Sequence, residues 1–261
     1  MRPQSLFFTL YGDYIWNYDK TIFLPSLITL MSQFGLTQQA IRAGLFRLGQ
    51  AGLVKSERIG KFSRYSLSPL GIRHLEDGMR RVYEPVGHPW DGLWRLFVYT
   101  IAESRRERRD QVRRELQWHG MAPLARSTWI SPNPVEGALR DMTVEFLSED
   151  SAEIFISRWD GDESDLVRRL WNLARVGDAY SQFIDEWLGY AQEEVLSNAQ
   201  AFIRRIGLVH AYRKFLNIDP NLPRDLLPHE WIGARARELF VTLHQRWTPR
   251  ADSYFKSVYE P

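Results

Sequence analysis

The side chains most suited to chemistry lie between residues 37 and 65, and the chemistry they fit is the recognition of double-stranded DNA. After Thr37 the sequence predicts a short helix in which Gln39, Arg42 and Phe46 follow one another at intervals of three and four residues, so that they share one face. Glutamine can pair with adenine, arginine with guanine, and an aromatic ring can touch the methyl group of thymine. An ordinary solvated helix face is the alternative interpretation of this pattern.

A basic hairpin is predicted directly after this helix. Gly60 would allow a tight turn between short strands at 54–58 and 62–67. Cations on such a hairpin bind backbone phosphates and position a DNA reader without specifying sequence. The predicted DNA-binding residues, which include the residue that caps the helix and a flanking arginine assigned to phosphate, are Thr37, Gln38, Gln39, Arg42, Phe46, Arg47, Arg58, Lys61 and Arg64. A basic hairpin without a ligand is the alternative.

The helix can be held in place by one apolar face and by the helix before it. Ile41, Leu45 and Leu48 recur at helical spacing on the side opposite to Gln39 and Arg42. The Thr37 hydroxyl can cap its first turn, and a glycine at position 35 is placed to end the preceding helix. Two helices followed by a two-stranded ribbon predict a winged helix-turn-helix. An adaptor that uses a winged helix to bind another protein stays open as an alternative.

Composition indicates a globular protein of more than one domain. The chain of 261 residues is 44% hydrophobic and 13% aromatic, which is enough to bury two or three cores. It has no cysteine, so disulfides and thiolate metal sites are excluded. No apolar run approaches the ~20 residues of a membrane span, and the N-terminus is a poor secretory signal. We expect a cytoplasmic protein.

Positive charge is concentrated in the first third of the chain. Residues 1–85 contain 11 Lys or Arg and 6 Asp or Glu, a net charge of +5. Because the whole chain carries +2, the remaining residues carry −3. This asymmetry indicates a polyanionic partner for the N-terminal segment alone.

The order of elements predicts an α+β protein of three domains. Residues 1–85 form the winged helix, residues 86–176 a central domain, and residues 177–261 a helical domain. Strands and helices alternate in the central segment, which favours a small α/β sandwich of the ferredoxin-like type. Its elements are expected at 94–101, 104–119, 124–130, 135–142, 152–158 and 162–176, after a breaker-rich linker at 85–92. The helical segment is expected to hold two long helices within 179–215 and a last one over 230–247.

A second basic stretch lies in the predicted helix at 104–119, which holds six arginines between Arg105 and Arg114. Glu107 and Asp110 lie among them and the segment 86–176 is net −2, so we favour a solvated or dimer-facing helix over a second nucleic-acid surface. The sequence holds no hydrolase elbow, zinc-protease helix, phosphate loop or dinucleotide fingerprint. We expect neither an enzyme nor a bound cofactor or metal.

Three stretches of the chain resemble the PaaX family of transcriptional repressors, and the resemblance covers nearly the whole length. Residues 5–14, which read SLFFTLYGDY, are similar to the opening helix of that family. Residues 94–101, the arginine-rich helix, and residues 122–124 and 129–132 are similar to its central domain, which has a fold like that of Cas2. Residues 219–231, followed by Gly233, are similar to its C-terminal signature, with Ile232 where the family usually has proline.

The resemblance implies a homodimeric repressor of genes for aromatic-compound catabolism, released in the best-known branch by phenylacetyl-CoA. A two-fold axis would present two recognition helices to a palindromic or near-palindromic operator. Arginine and lysine suit the phosphates of a CoA-type ligand, and tryptophan suits an aromatic acyl group. Candidate ligand residues in the C-terminal region are His210, Arg213, Lys214, Trp231 and Arg235. Core or dimer packing explains the tryptophan equally well.

The likeness to the Cas2 fold also raises a nucleic-acid-processing enzyme as an alternative. In that fold a metal-binding aspartate ends the first strand, and the matching position here is Thr100. Without that carboxylate a divalent cation loses a hard oxygen ligand. We therefore expect no nuclease activity.

Overall fold

A computed structural model of the chain describes residues 1–83, 89–148, 150–192 and 197–259. The described residues contain ten α-helices: α1 (Pro3–Asp13), α2 (Leu24–Ser32), α3 (Gln38–Gln50), α4 (Pro69–Tyr83), α5 (Arg106–Trp118), α6 (Glu136–Phe146), α7 (Glu163–Leu170), α8 (Leu173–Leu188), α9 (Asn198–Tyr212) and α10 (Ile232–Val258). They also contain seven strands: β1 (Thr21–Phe23), β2 (Val54–Ile59), β3 (Phe62–Leu67), β4 (Trp94–Thr100), β5 (Ala122–Ala125), β6 (Thr128–Ser131) and β7 (Ser151–Ser157).

The chain divides into two compact units. The first is made of Met1–Glu84, Phe183–Lys214 and Ala236–Pro261, and the second of Pro85–Gln182 and Phe215–Arg235. The predicted division into residues 1–85, 86–176 and 177–261 stays a prediction. Of the predicted linker at 85–92, positions 85–88 lie outside the described residues. Within the second unit the backbone N–H of Trp90 donates to Oδ2 of Asp225 over 3.0 Å.

The first unit contains helices α1 to α4 and a small antiparallel sheet with the strand order β1-β3-β2. Val54 pairs with Leu67 and Ile59 with Phe62, which leaves a two-residue turn between β2 and β3. Gly60 takes the first position of that turn with φ +58°, a conformation that favours glycine. The predicted strands at 54–58 and 62–67 are confirmed.

Aromatic side chains from the end of the chain complete the core of this unit. Tyr14, just after α1, stacks on Phe255 of α10 with ring centroids 4.5 Å apart. The same ring lies 5.6 Å from Phe202 of α9. The hydroxyl of Tyr259 donates to the carbonyl of Thr21 over 2.9 Å. Helices that are distant in sequence therefore supply part of the interior on which α1 rests.

The second unit follows the order β4-α5-β5-β6-α6-β7 and forms one antiparallel sheet with the strand order β5-β6-β4-β7. This is the split βαβ arrangement, so the predicted α/β sandwich is present. Phe97 and Tyr99 of β4 pack with Val112 and Leu116 of α5 on one face. Trp94 belongs to a separate cluster, which includes residues of α7.

The region 124–130, expected as one extended stretch, is a hairpin. The strands β5 and β6 pair in antiparallel register from Ala122 opposite Ile130 to Ala125 opposite Thr128. Arg126 and Ser127 make the turn. Neither residue is one of the glycine, asparagine or aspartate types that mark two-residue hairpin turns, so no local pattern indicates the reversal.

The helix expected over 162–176 is interrupted. Trp171 adopts an extended backbone between α7 and α8, and its indole Nε1 donates to the carbonyl of Gly120 over 3.2 Å. Oδ1 of Asn172 accepts from the backbone N–H of Arg175 in the first turn of α8. The burial of Trp171 and the cap that Asn172 provides together stabilise the interruption more than a continuous helix would.

The last helix also runs further than expected over 230–247. α10 ends at Val258 and contains Pro249, although proline in a helix interior removes a hydrogen bond. Ala251 and Phe255, beyond the proline, are completely buried. Their burial offsets the lost hydrogen bond. Because this burial comes from tertiary packing, the local sequence could not predict it.

Candidate nucleic-acid interface

The predicted recognition helix is α3, and its three predicted base-reading side chains are exposed. Oγ1 of Thr37 accepts from the backbone N–H of Ala40 over 3.2 Å, which confirms the predicted cap. Ile41, Leu45 and Leu48 are buried, as their spacing predicted. Gln39, Arg42 and Phe46 lie on the accessible surface, and the phenylalanine ring is 67% exposed. Their role in binding DNA stays a prediction.

Arg42 contacts Gln38, another of the predicted DNA-binding residues. In the amide orientation that satisfies hydrogen bonding, Oε1 of Gln38 accepts from Nη2 of Arg42 over 3.0 Å and from Nε over 3.3 Å. The two residues are one helical turn apart, where side chains of a helix meet. This contact limits the conformations of the Arg42 guanidinium. A DNA base that displaces the Gln38 amide from it would have to offer similar hydrogen-bond acceptors.

The surface of α3 is held from behind by α1. A Cβ atom on Gly44 would lie 2.6 Å from Cβ of Pro3, closer than side-chain carbons approach one another. The two helices therefore meet at a point where only a glycine fits. On α1, Leu6, Phe7 and Leu10 are completely buried. The position of α3 consequently depends on the position of α1.

The hairpin of β2 and β3 presents three predicted phosphate-binding cations, which are not equivalent. Arg64 forms an ion pair with Glu57 on the opposite strand, at 3.0 Å, so part of its charge is neutralised. Nε of Arg58 donates to the carbonyl of Gly60 over 3.1 Å. The ammonium of Lys61 lies 5.2 Å from the ring centroid of Phe62. Lys61 and Arg58 thus remain the stronger candidates for phosphate.

Apolar side chains share this accessible surface with the cations. Ile59 and Phe62, on either side of the turn, are 36% and 42% exposed. The ring of Phe62 meets Phe23 edge-on at 6.3 Å. Arg47, assigned to phosphate, is exposed near the end of α3. The surface therefore combines cations and exposed apolar groups, a composition suited to sugar and base contacts as well as phosphates.

Two of the predicted ligand residues already have partners inside the first unit. Nδ1 of His210 lies 3.0 Å from Oγ1 of Thr9. Nη1 of Arg213 donates to the same oxygen over 2.8 Å and to the carbonyl of Ser5 over 3.1 Å. These contacts tie the end of α9 to α1. Lys214 is exposed.

The other predicted ligand residues belong to the second unit. The Trp231 ring packs edge-on against Tyr180, with centroids 6.1 Å apart, and it closely approaches Gly233. Arg235 is exposed. His210, Arg213 and Lys214 are in the first unit, whereas Trp231 and Arg235 are in the second. Ligand binding by any of them stays a prediction.

The arginine-rich helix α5 carries intramolecular ion pairs. Nη1 of Arg105, just before the helix, lies 3.1 Å from Oδ2 of Asp150. Arg106 and Arg113 each approach Asp110 at 4.0 Å. These pairs agree with the favoured interpretation of a solvated helix, because the acids reduce the charge offered to a phosphate.

Thr100 ends β4 and is exposed, at the position that the likeness to Cas2 assigned to it. Within residues 1–83, 89–148, 150–192 and 197–259, no group of three or more His, Asp or Glu side chains is arranged to hold a metal ion.

Sequence reasoning missed a cluster of charged residues in the interior of the first unit. Asp13, at the end of α1, has a side chain that is 2% exposed and forms an ion pair with Arg205 at 2.8 Å. The one signal in the sequence was an aspartate inside an apolar and aromatic stretch, FFTLYGDYIW. A buried charge requires a partner, but the partner lies 192 residues away and no local pattern points to it.

The sequence matches three family models that together span most of the chain. They are the PaaX-like protein over residues 2–71, the PaaX protein central Cas2-like domain over residues 87–167, and the PaaX-like protein C-terminal domain over residues 171–257. The match to the central domain begins before β4, includes the whole βαββαβ segment and ends within α7.

Two known proteins are similar over most of their length. The transcriptional repressor PaaX of Escherichia coli (strain K12) is 31% identical over 264 residues, which covers 95% of this chain and 81% of that protein. The solved structure of the uncharacterized protein Rv0674 from Mycobacterium tuberculosis superposes with a TM-score of 0.54 at 22% identity, covering 87% of this chain and 89% of that one. The second likeness concerns the fold alone.

No helix among the described residues has the length and apolar composition needed to cross a membrane.

The agreement of the three models along the sequence, and the identity to the repressor over nearly the full length, lead to one assignment. This chain belongs to the PaaX family.

Proposed function

We propose that the protein is a sequence-specific DNA-binding transcriptional repressor, whose residues 1–85 act as a winged helix-turn-helix. The observation that carries this proposal is the 31% identity to a transcriptional repressor over 95% of the chain. The exposed face of α3 supports it, because Gln39, Arg42 and Phe46 offer the groups that read adenine, guanine and thymine in the major groove. The hairpin of β2 and β3 would act as the wing, with Lys61 and Arg58 on phosphates.

Regulation is the second part of the proposal. As a homodimer, the protein would present two α3 helices to a palindromic operator. An aromatic acyl-CoA such as phenylacetyl-CoA would release it, and the regulated genes would serve phenylacetate-type catabolism in the cytoplasm. Release requires that the effector bind more tightly to the arrangement that does not fit the operator. The five candidate ligand residues are the first positions to vary in testing this.

Selection of bound fragments from random duplex DNA, with and without phenylacetyl-CoA, tests recognition and release together. A repressor enriches one palindromic motif, and the enrichment disappears with its effector. Affinity should also fall steeply with salt, since phosphate contacts release counterions. A chain that enriches no sequence, or one whose duplex affinity is independent of salt, would support the protein-binding adaptor instead.

Two substitutions separate base reading from phosphate binding. Arg42→Ala should lower operator affinity by ~1–3 kcal/mol and relax the preference at one base pair. Lys61→Ala should weaken operator and unrelated duplexes alike and reduce the salt slope by about 1. Lys256→Ala, which removes an exposed cation from α10 outside the predicted surface, is the control for net charge. Operator binding by Arg42→Ala equal to that of Lys256→Ala would remove the proposed base contact.

A further inference from the structure

A single buried carboxylate joins four helices of the first unit. Oδ2 of Asp13 accepts from Nε of Arg205 over 2.8 Å, and Oδ1 accepts from Nη2 of the same guanidinium over 3.2 Å. The hydroxyl of Tyr83 donates to Oδ1 over 2.7 Å. Nε2 of His244 lies 2.8 Å from Oδ1. Asp13 ends α1, Tyr83 ends α4, and Arg205 and His244 belong to α9 and α10.

The guanidinium extends this network along α10. Nη1 of Arg205 donates to Oδ1 of Asp252 over 2.7 Å and to Oγ1 of Thr248 over 3.3 Å. Its face also lies 4.4 Å from the ring centroid of Tyr14. Arg205 is thus held in one orientation by two carboxylates and an aromatic ring, and a planar guanidinium with several donors is the side chain that can serve all of them.

The charges of this network persist inside the unit. Burial by itself raises the pKa of the Asp13 carboxyl, but the hydrogen bond from His244 and the charge of Arg205 outweigh it and hold the pKa below its ordinary value. Replacing a buried ion pair with apolar residues often leaves stability unchanged, whereas removing one partner is strongly destabilising. The arrangement of these helices is therefore sensitive to the loss of either partner.

The helix that carries Asp13 also supports the proposed recognition helix. Pro3 at the start of α1 fits against Gly44 of α3 without room for an added methyl group. Packed interiors transmit such displacements, because they contain few voids that could absorb them. A shift of α1 along α9 and α10 would therefore move α3 as well.

We propose that Asp13 is a positioning residue for DNA recognition, through which helices α9 and α10 fix the placement of α3. This inference rests on the proposed function. Asp13 itself touches no DNA in this scheme, and its contribution is to keep α1 and α3 in the arrangement that fits the operator. The C-terminal helices then control operator affinity through Arg205 and His244, without a contact to the duplex.

The test compares Asp13→Asn with the parent chain in the full-length protein. Asparagine keeps the size of the side chain but removes the charge that orients Arg205. The readout is the ratio of operator affinity to affinity for an unrelated duplex, measured on protein shown to be folded by near-UV circular dichroism. We expect this ratio to fall roughly 5- to 150-fold, the usual range of coupling between sites, with little change for the unrelated duplex.

Glu136→Gln is the matched control. Glu136 forms an ion pair with the buried Arg95 at 2.6 Å in the second unit, so its replacement removes a comparable ion pair outside the unit that contains α1. The positioning role is overturned if folded Asp13→Asn has the same ratio of operator affinity to unrelated-duplex affinity as Glu136→Gln and the parent chain. Should Asp13→Asn fail to fold, Arg205→Lys and His244→Gln take its place, and unchanged ratios in both overturn it equally. A parent chain that prefers no duplex refutes the proposed function itself, and the positioning role with it.

Discussion

At the scale of single residues, His210 shows how burial alters an ionisable group in this protein. Its imidazole is half-buried on α9 beside Thr9, and two cations, Arg213 and Lys214, follow it in the chain. Burial, aided by the charges of these cations, lowers the pKa of His210 to about 4. The unfolded chain would bind a proton near pH 6.5, whereas the folded protein accepts it only near pH 4. Between these values the unfolded state binds more protons.

We therefore predict that His210 makes the protein sensitive to mild acid. Stability should fall as the pH drops from about 6.5 towards 4, because protons favour the unfolded state in that window. In His210→Gln the decrease in the free energy of unfolding between these pH values should be smaller by ~1–2 kcal/mol. This value is reduced because the ring is partly exposed. The measurement is the free energy of unfolding by urea at pH 7.5 and at pH 4.5.

The control for this prediction is His229→Gln. His229 is exposed in the second unit, so its replacement should leave the pH dependence of the free energy of unfolding the same as in the parent chain. Equal acid sensitivity of the parent and of His210→Gln would contradict the assignment of the effect to His210.

At the scale of elements, α3 contains two glycines, Gly44 and Gly49, that look alike in the sequence but have different surroundings in the structure. Both weaken a helix, since glycine is about 1 kcal/mol less favourable than alanine in a helix interior. A Cβ atom on Gly49 would meet only the carbonyl oxygen of Val54, at 3.9 Å. One on Gly44 would collide with Pro3. The first glycine is thus replaceable, and the second sets how closely α1 approaches α3.

We predict opposite effects of alanine at these two positions. Gly49→Ala should stabilise the protein by up to ~1 kcal/mol through helix propensity. Gly44→Ala should destabilise it by ~1–3 kcal/mol, the usual cost of overpacking, less the gain in propensity. Urea unfolding of both variants measures the difference. If alanine stabilises the protein equally at both positions, α1 does not rest on Gly44.

The elements that sequence reasoning misjudged share one cause. The periodicity of α3 and the cap at Thr37 are local signals, and both were confirmed. The turn between β5 and β6, the break at Trp171 and the continuation of α10 through Pro249 are decided by tertiary contacts. Local propensity is a weak prior wherever burial of a large side chain competes with it.

At the scale of the whole molecule, the first unit is discontinuous in sequence. Its N-terminal segment is completed by residues 183–214 and 236–261. Tyr14 packs on Phe255 and Phe202, and Asp13 takes its counter-charge from Arg205. Without the later segments the Tyr14 ring would lose Phe255 and Phe202, and the Asp13 carboxylate would keep the Tyr83 hydroxyl but lose its counter-charge.

We predict that a fragment of residues 1–83 does not fold cooperatively. It would expose the apolar surface around Tyr14 and leave Asp13 without Arg205, so burial could not offset the loss of chain entropy. Near-UV circular dichroism and urea titration are the measurements, with the full chain as the control. A sigmoidal transition in the fragment, with fixed aromatic signals like those of the full chain, would show that the segment is an independent domain.

The sequence by itself determined the elements of the candidate interface. Periodicity fixed the buried and exposed faces of α3, glycine fixed the turn of the hairpin, and motif likeness led to the correct family. Only the tertiary structure decided which partners those elements have. The pair Asp13–Arg205, and the joining of α9 and α10 to the N-terminal segment, depend on where the chain returns in space. Helix and turn signals act over a few residues, whereas charge pairing and core packing join residues that local patterns cannot relate.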